Sequence, residues 1–304
     1  FCSNNKFHIK MVYLKLKQII KLVRVRQWYK NLVIFLPIVF AKELFNLFAL
    51  YQTILGFISL SFISSANYII NDIIDKEKDK KHYSKKYRPI AAGQIKIGEG
   101  IVLALIFLGL SLFISYFFLT TAFIFFVLSL FFLTQIYTFF LKNEPFIDIL
   151  LISVNFVIRS ISGAFVILNQ KGPYVKVSPW IILCPFFLAF FLAVNKRRAE
   201  YFLTKNRTKH RKVLNYYTES LTSSLQIIST TLLVISYALY TFFSPYPNLI
   251  FTLPFVLYII LIVFGEFEQN PESAMKPQSF LLNLRVLTSL FFIGLITFVS
   301  IYFL

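Results

Sequence analysis

The stretch LFALYQTILGFISLSFISSANYIINDIIDKEKDKKHYSKKYRPIAAGQ, residues 47–94, decides the fold. Its first half, Leu47 to Asn71, is mostly apolar and long enough to cross a bilayer as a helix, which takes about 20 residues. Its second half is densely charged. Asp72, Asp75 and Asp79 are spaced i, i+3 and i+7, which on a helix puts all three carboxylates on one face. Carboxylates crowded in this way repel unless something cationic sits between them. Lys85, Lys86 and Arg88 follow within ten residues, a cluster suited to phosphate. An acidic stripe beside a basic loop at a membrane surface implies Mg²⁺ with a phosphorylated ligand. Such sites typically use one or two carboxylates, with phosphates and water completing the octahedron.

Working outward, the same apolar pattern recurs along nearly the whole chain. Hydrophobic residues make up 58% of its 304 residues, against about 45–50% for soluble domains. The reading is an all-α polytopic membrane protein with about nine transmembrane helices around a central polar cavity. The expected spans are 28–45, 47–72, 98–118, 121–141, 146–169, 178–195, 220–243, 248–265 and 283–303. Lys42 and Glu43 interrupt the first, and Thr120 and Thr121 leave only a tight turn between the third and fourth. No soluble domain fits in the gaps. Residues 1–27 read as a basic cytoplasmic N-terminal segment and residues 28–304 as a single transmembrane domain.

The net charge of +18 could point to nucleic acid, but its distribution argues otherwise. Eight Lys and Arg precede Asn31, eight lie in 73–97 and eight in 196–219. With nine spans and a cytoplasmic N-terminus these fall on one side. Adding Lys142, Lys276 and Arg285 brings 27 of the 31 basic residues there. That is the positive-inside pattern, and it accounts for the charge without nucleic acid. The first 30 residues are too basic, and lack the small-residue cleavage site, for a secretory signal; Met11 reads as the natural start, and residues 1–10 receive no role. Cys2 and Cys184 form no disulfide framework. His8, His82 and His210 are too scattered for a zinc site.

Charged and polar groups inside spans are expensive and therefore informative, at about 2.5–3.5 kcal/mol for a charge at a span centre. Arg159 lies deep in LLISVNFVIRSISGAFVI, with Asp148 three turns earlier on nearly the same face and Asn155 one turn earlier. It serves either helix packing or the lining of an internal cavity. Ser160, Ser162, Gly163 and Ala164 beside it permit close helix approach. The cluster NKRRAEY, Asn195 to Tyr201, follows the sixth span as the aspartate stripe follows the second. Lys196 with Glu200, and Arg197 with Tyr201, stand i, i+4. Two charged motifs in corresponding places hint at a pseudo-repeat. RVRQWYKN, Arg24 to Asn31, is a third polar group, in which Trp28 and Tyr29 alone would be interfacial anchors.

Asn71–Asp72–x–x–Asp75–x–x–x–Asp79 after a second span resembles the first aspartate-rich motif of the UbiA superfamily of intramembrane prenyltransferases. The resemblance implies nine helices around a cavity open to lipid, with carboxylates holding Mg²⁺ against a diphosphate. The chain is most similar to the decaprenyl-phosphate phosphoribosyltransferase branch, over roughly residues 22–304. The matching residues are Gln27, Trp28, Lys30 and Asn31; Lys85, Lys86 and Arg88 to Gly93; Asp148 and Arg159 to Gly163; Lys196 to Glu200; and Asn270 to Ser273. It departs from that branch at Val25 and Tyr83, where prolines are usual, and at Lys86, where an arginine is common.

This resemblance implies transfer of 5-phosphoribose from phosphoribosyl diphosphate (PRPP) to a polyprenyl phosphate in a prokaryotic cell membrane, with the site facing the cytoplasm. Asp72, Asp75 and Asp79 would hold Mg²⁺. Asp72, Asp75, Arg88 and Lys196 would be catalytic. Lys30, Asn31, Asn71, Lys85, Lys86, Arg159, Arg197, Glu200 and Tyr201 would bind substrate. A phosphate monoester is largely ionised near neutral pH, so the acceptor needs positioning rather than a strong base. Two other readings stay open. One is prenyl transfer from a prenyl diphosphate to an aromatic or other acceptor, against which the basic Lys196–Arg198 weighs. The other is a transporter or lipid-binding protein without chemistry.

Overall fold

The computed structural model describes residues 2–81, 85–142, 144–167, 177–204, 216–275 and 277–304, with the side chains of 13–81 onward and a few exceptions among later ones. His82, Tyr83, Lys171, Lys176, His210, Lys276 and the basic residues between 205 and 212 lie outside what is described, as does the side chain of His8. The helices in chain order are α1 Cys2–Val23, α2 Leu36–Phe40, α3 Leu47–Ile74, α4 Lys76–Lys80, α5 Ile97–Phe118, α6 Thr121–Ile136, α7 Ile147–Val166, α8 Trp180–Thr204, α9 Glu219–Phe243, α10 Leu253–Gln269 and α11 Leu284–Tyr302. A π-helical turn, Tyr137–Leu141, extends α6. Among the described residues there is no strand.

Eight of these helices are long and apolar enough to cross a membrane, so the chain is a multi-pass membrane protein. The ninth expected span, 28–45, takes a different form. Val25–Phe35 is a 3₁₀ stretch and α2 adds only five residues. Lys42 then turns with φ of 60°, and the Asn46 side chain caps α3 by accepting from the Phe48 and Ala49 amides. Those two polar residues restart the helix rather than letting it run through. Thr120 marks the other expected break: its hydroxyl accepts from the Phe123 amide at 3.2 Å and caps α6.

The chain forms two compact units. The first comprises Phe1–Phe35, Asn46–Phe140 and Ser162–Val175. α3 is its central helix: half of its membrane-spanning stretch is buried, against 17% for α5 and for the α6 span. It packs on α5 through a serine contact in which the Ser59 hydroxyl lies 3.0 Å from that of Ser111 and 2.8 Å from that of Ser115. Small hydroxyl residues let two helix backbones approach closely and hydrogen-bond where lipid offers no partner.

Residues 24–31 run along α3 in the opposite direction. Arg24 meets Asp72, Trp28 donates to Ser65 at 3.1 Å and Asn31 donates to Ser61 at 3.0 Å. Trp28, expected as an interfacial anchor, is thus also a rivet in this register. A core of Leu22, Val23, Ile69, Ile90, Ile95 and Ala104 closes the end of the unit that carries the charges.

Gly163 shows how tight this unit is. A Cβ there would lie 2.1 Å from the Ile34 carbonyl oxygen, a backbone atom that cannot swing aside. Gly163→Ala should therefore cost about 1–3 kcal/mol from overpacking, read as a lower melting midpoint in detergent. Gly265→Ala is the control, because nothing lies within 4 Å of its added Cβ. Equal midpoints for the two variants would contradict the close approach.

The second unit comprises Leu36–Phe45, Leu141–Ile161 and Lys176–Leu304. α8 packs against α9, and α10 against α11. Its larger core joins Phe191 and Ala199 of α8 to Leu233, Ile260, Val263, Phe267 and Phe280. A smaller cluster of Ile149, Ala193, Val194 and Tyr217 backs the first turn of α7. α8 continues past the expected span end at 195 to Thr204, so Lys196–Glu200 sit on its last turns.

Candidate active site

The first unit carries the aspartates. α3 ends at Ile74, and the Asp79 amide donates to the Asp75 carbonyl at 2.8 Å, so α4 continues the helical path after one interrupted turn. Asp72, Asp75 and Asp79 are all buried, at 2%, 7% and 3% exposure. Buried carboxylates need cations, and two guanidiniums supply them. Arg88 Nη1 donates to Asp72 Oδ1 at 3.0 Å and to Asp79 Oδ2 at 2.7 Å, bridging the two ends of the motif. Arg24 Nη2 donates to the same Asp72 oxygen at 2.5 Å, and its guanidinium lies 4.7 Å from the Tyr68 ring centroid. Glu77, exposed on α4, takes no part. Lys80 hydrogen-bonds it at 2.7 Å and holds its carboxyl below the usual range.

Local backbone chemistry places both arginines. Arg24 follows the last residue of α1 with φ of 55°. That left-handed conformation usually favours Gly, and here it turns the chain from α1 into the segment along α3. Arg88 is held by the turn after it. Within RPIAAGQ the Gln94 amide donates to the Pro89 carbonyl at 2.9 Å and the Gly93 amide to the Ile90 carbonyl at 3.2 Å. With Gly93 at φ of 70°, this is a Schellman closure, which needs a residue free to adopt positive φ. Ile90 is fully buried and anchors the turn. Lys21 adds a tie from α1 to the Tyr87 carbonyl at 2.6 Å.

The other expected residues of this unit distribute around the cluster. Asn31 is buried on Ser61, whereas Asn71 and Lys30 are half-buried. Lys85 is half-buried, and Lys86 is exposed with its ammonium 5.1 Å from the Tyr87 ring centroid. Arg24 is the member that sequence reasoning did not single out. Its only signal was its place in RVRQWYKN, since its partner lies 48 residues away.

The second unit carries a separate charged cluster. Arg197, 6% exposed, forms ion pairs with Asp148 of α7 and with Glu200 one turn along α8. Asp148, which shares a helix face with Arg159 three turns on, thus pairs with Arg197 of α8. Arg159 instead donates to the Asn155 carbonyl of its own helix at 2.9 Å, near the Phe156 ring. Lys196 is exposed, Tyr201 half-buried and packed at the edge of the smaller core cluster. Arg198, also unexpected, donates to Ser223 at 2.6 Å and to Glu268 at 2.9 Å, tying α8 to α9 and α10.

The profile of the UbiA prenyltransferase family matches residues 32–302. The chain belongs to that family. It is therefore a membrane-embedded transferase. It is 32% identical to the decaprenyl-phosphate phosphoribosyltransferase of Corynebacterium glutamicum, over 73% of this chain and 67% of the relative. It is 32% identical to the Mycolicibacterium smegmatis enzyme of the same name, over 77% of this chain and 73% of the relative. Among solved structures, a UbiA homolog from Archaeoglobus fulgidus bound to GPP and Mg²⁺ superposes with a TM-score of 0.68 at 19% identity, covering 93% of this chain and 99% of that one. A UbiA homolog from Aeropyrum pernix K1 gives 0.71 at 13% identity, covering 91% and 98%. These last two establish the fold.

Proposed function

We propose that this UbiA family member transfers 5-phosphoribose from PRPP to a polyprenyl phosphate and releases diphosphate, with Mg²⁺ as cofactor. The observation that carries the reading is the Asp72 carboxylate buried under two guanidiniums, one of which also reaches Asp79. The relatives named decaprenyl-phosphate phosphoribosyltransferase support it.

The donor set fits the cofactor. Asp72, Asp75 and Asp79 offer only hard oxygen donors in a buried place, which suits Mg²⁺ rather than zinc. Among the described residues no three His, Cys, Asp or Glu side chains are grouped closely enough to hold a metal alone. An ion bound there would need substrate phosphates and water to complete its shell. When bound, Mg²⁺ would neutralise charge on the departing diphosphate.

The protein's own groups do the rest. Arg88 and Arg24 are fork-shaped donors already poised over oxygen anions, and phosphate oxygens present the same geometry. As the C1–diphosphate bond breaks, they would stabilise charge gathering on the leaving group. The sugar passes through an oxocarbenium-like state, and the ionised acceptor phosphate attacks C1 without a general base. In the second unit Arg197 replaces the second carboxylate set that a two-metal prenyl transferase would favour. Prenyl transfer remains the alternative, favoured by the Archaeoglobus fulgidus UbiA homologs of similar fold, which bind GPP and DMAPP.

Arg88→Lys tests the phosphate role. A lysine keeps the charge but loses the fork that spans two anions. Turnover of PRPP should fall by about tenfold or more, the scale of a charge-assisted hydrogen bond, while expression and membrane insertion stay unchanged. Unchanged turnover would reduce Arg88 to an orientation signal.

A further inference from the structure

Two side-chain amides inside the first unit have no part in the charged cluster. Asn67 lies on α3, one helical turn before Asn71, and is 5% exposed. Its Nδ2 donates to the Leu130 carbonyl of α6 at 3.2 Å. That contact fixes the amide's orientation, because only the NH₂ end can face a carbonyl. Asn67 Oδ1 then faces Gln135, whose Nε2 donates to it at 2.7 Å. The orientation of Gln135 follows in turn: its carbonyl oxygen must point away from Asn67. That oxygen, Gln135 Oε1, is shielded from solvent and has no hydrogen-bond partner among the described residues.

A buried acceptor without a donor costs about as much as a lost hydrogen bond, and more in a membrane span, where water does not compensate. Helix packing alone does not call for it. A Gln–Asn pair serving as interhelical glue is complete once Nε2 meets Oδ1. The pair sits about one turn of α3, roughly 5.4 Å of rise, from Asn71 and the aspartates that follow it. Gln135 also stands at the point where α6 gives way to the π-helical turn Tyr137–Leu141, a backbone irregularity common at functional sites.

We propose that Asn67 and Gln135 form a sugar-hydroxyl subsite, in which Gln135 Oε1 accepts a hydrogen bond from a ribose hydroxyl of the donor while Asn67 holds the amide in place. This rests on the phosphoribosyl reading above. The chemistry separates the two donors that reading must distinguish. A pentosyl diphosphate offers hydroxyl donors next to C1, whereas a prenyl diphosphate offers only hydrocarbon. Seating a prenyl chain there would leave the acceptor unsatisfied. Polar sites of this kind reject the analogue that lacks the hydroxyl far more strongly than apolar pockets separate homologues.

The test uses the full-length protein in detergent with Mg²⁺, a polyprenyl phosphate and PRPP. Gln135→Met, of similar length without the acceptor, should raise KM for PRPP about tenfold with KM for the lipid unchanged, and lower the melting midpoint modestly because Asn67 Oδ1 loses its donor. Geranyl diphosphate should inhibit the variant at least as well as the wild type. A purely structural pair would lower the melting midpoint in the same way but leave the two KM values in their original ratio. If the variant does not fold, wild-type protein with 2-deoxy and 3-deoxy analogues of PRPP decides: one of them should bind about tenfold more weakly. Equal KM values for PRPP and both analogues, or a variant with an unaltered KM for PRPP, would overturn the subsite while leaving the phosphoribosyl reading intact. A wild type that ignores PRPP altogether would overturn both.

Discussion

Asp72→Asn should lower turnover by about 100–1000-fold, the scale of losing a preorganised electrostatic contact at a reacting centre, while the protein still folds and inserts. Asn keeps the volume and one acceptor oxygen but removes the charge that gathers Arg24 and Arg88. Folding survives because neither arginine is fully buried, their side chains being 22% and 23% exposed, and Arg88 keeps Asp79. Asp75→Asn should act in the same direction. Turnover in membranes, normalised to the amount of folded protein, is the measurement. A double variant of Asp72 and Asp75 with full activity would remove the carboxylates from the mechanism.

The largest effect on stability is expected at Arg197. Its side chain is 7% exposed and that of its partner Asp148 is 5% exposed. Arg197→Met would leave the Asp148 carboxylate buried without its guanidinium and deprive Glu200 as well. Breaking a buried pair from one side costs about 3–5 kcal/mol, a pronounced drop in the melting midpoint. Adding Asp148→Asn removes the stranded charge, so the double variant should recover much of the loss. A single variant as stable as the wild type, or a double variant worse than the sum of the two, would contradict the buried pairing.

These two sites mark how far the chain could be read before it was folded. The aspartate motif was legible because its three members lie on adjacent turns, where periodicity alone sets their face. Eight spans were legible because apolar length is a local property. The 28–45 segment is built differently from a single span: Val25–Phe35 is a 3₁₀ stretch bonded to α3 through Trp28 and Asn31, α2 adds five residues, and Lys42 and Asn46 end and restart the helix. Arg24 with Asp72, and Asp148 with Arg197, join residues about fifty positions apart. No local spacing encodes such pairs, and on its own helix Asp148 shows only a common face with Arg159 three turns away. Asn67 and Gln135 did carry a signal, being amides within apolar spans, but the nearby charges outweighed it.

The central claim is donor identity, and a two-donor competition tests it most directly. Purified protein with Mg²⁺ would receive PRPP labelled in the ribose and a polyprenyl phosphate, together with a prenyl diphosphate and 4-hydroxybenzoate. After extraction, the account predicts ribose label in the lipid phase and unmodified 4-hydroxybenzoate. Prenylated 4-hydroxybenzoate, with all ribose label left in water, would contradict it.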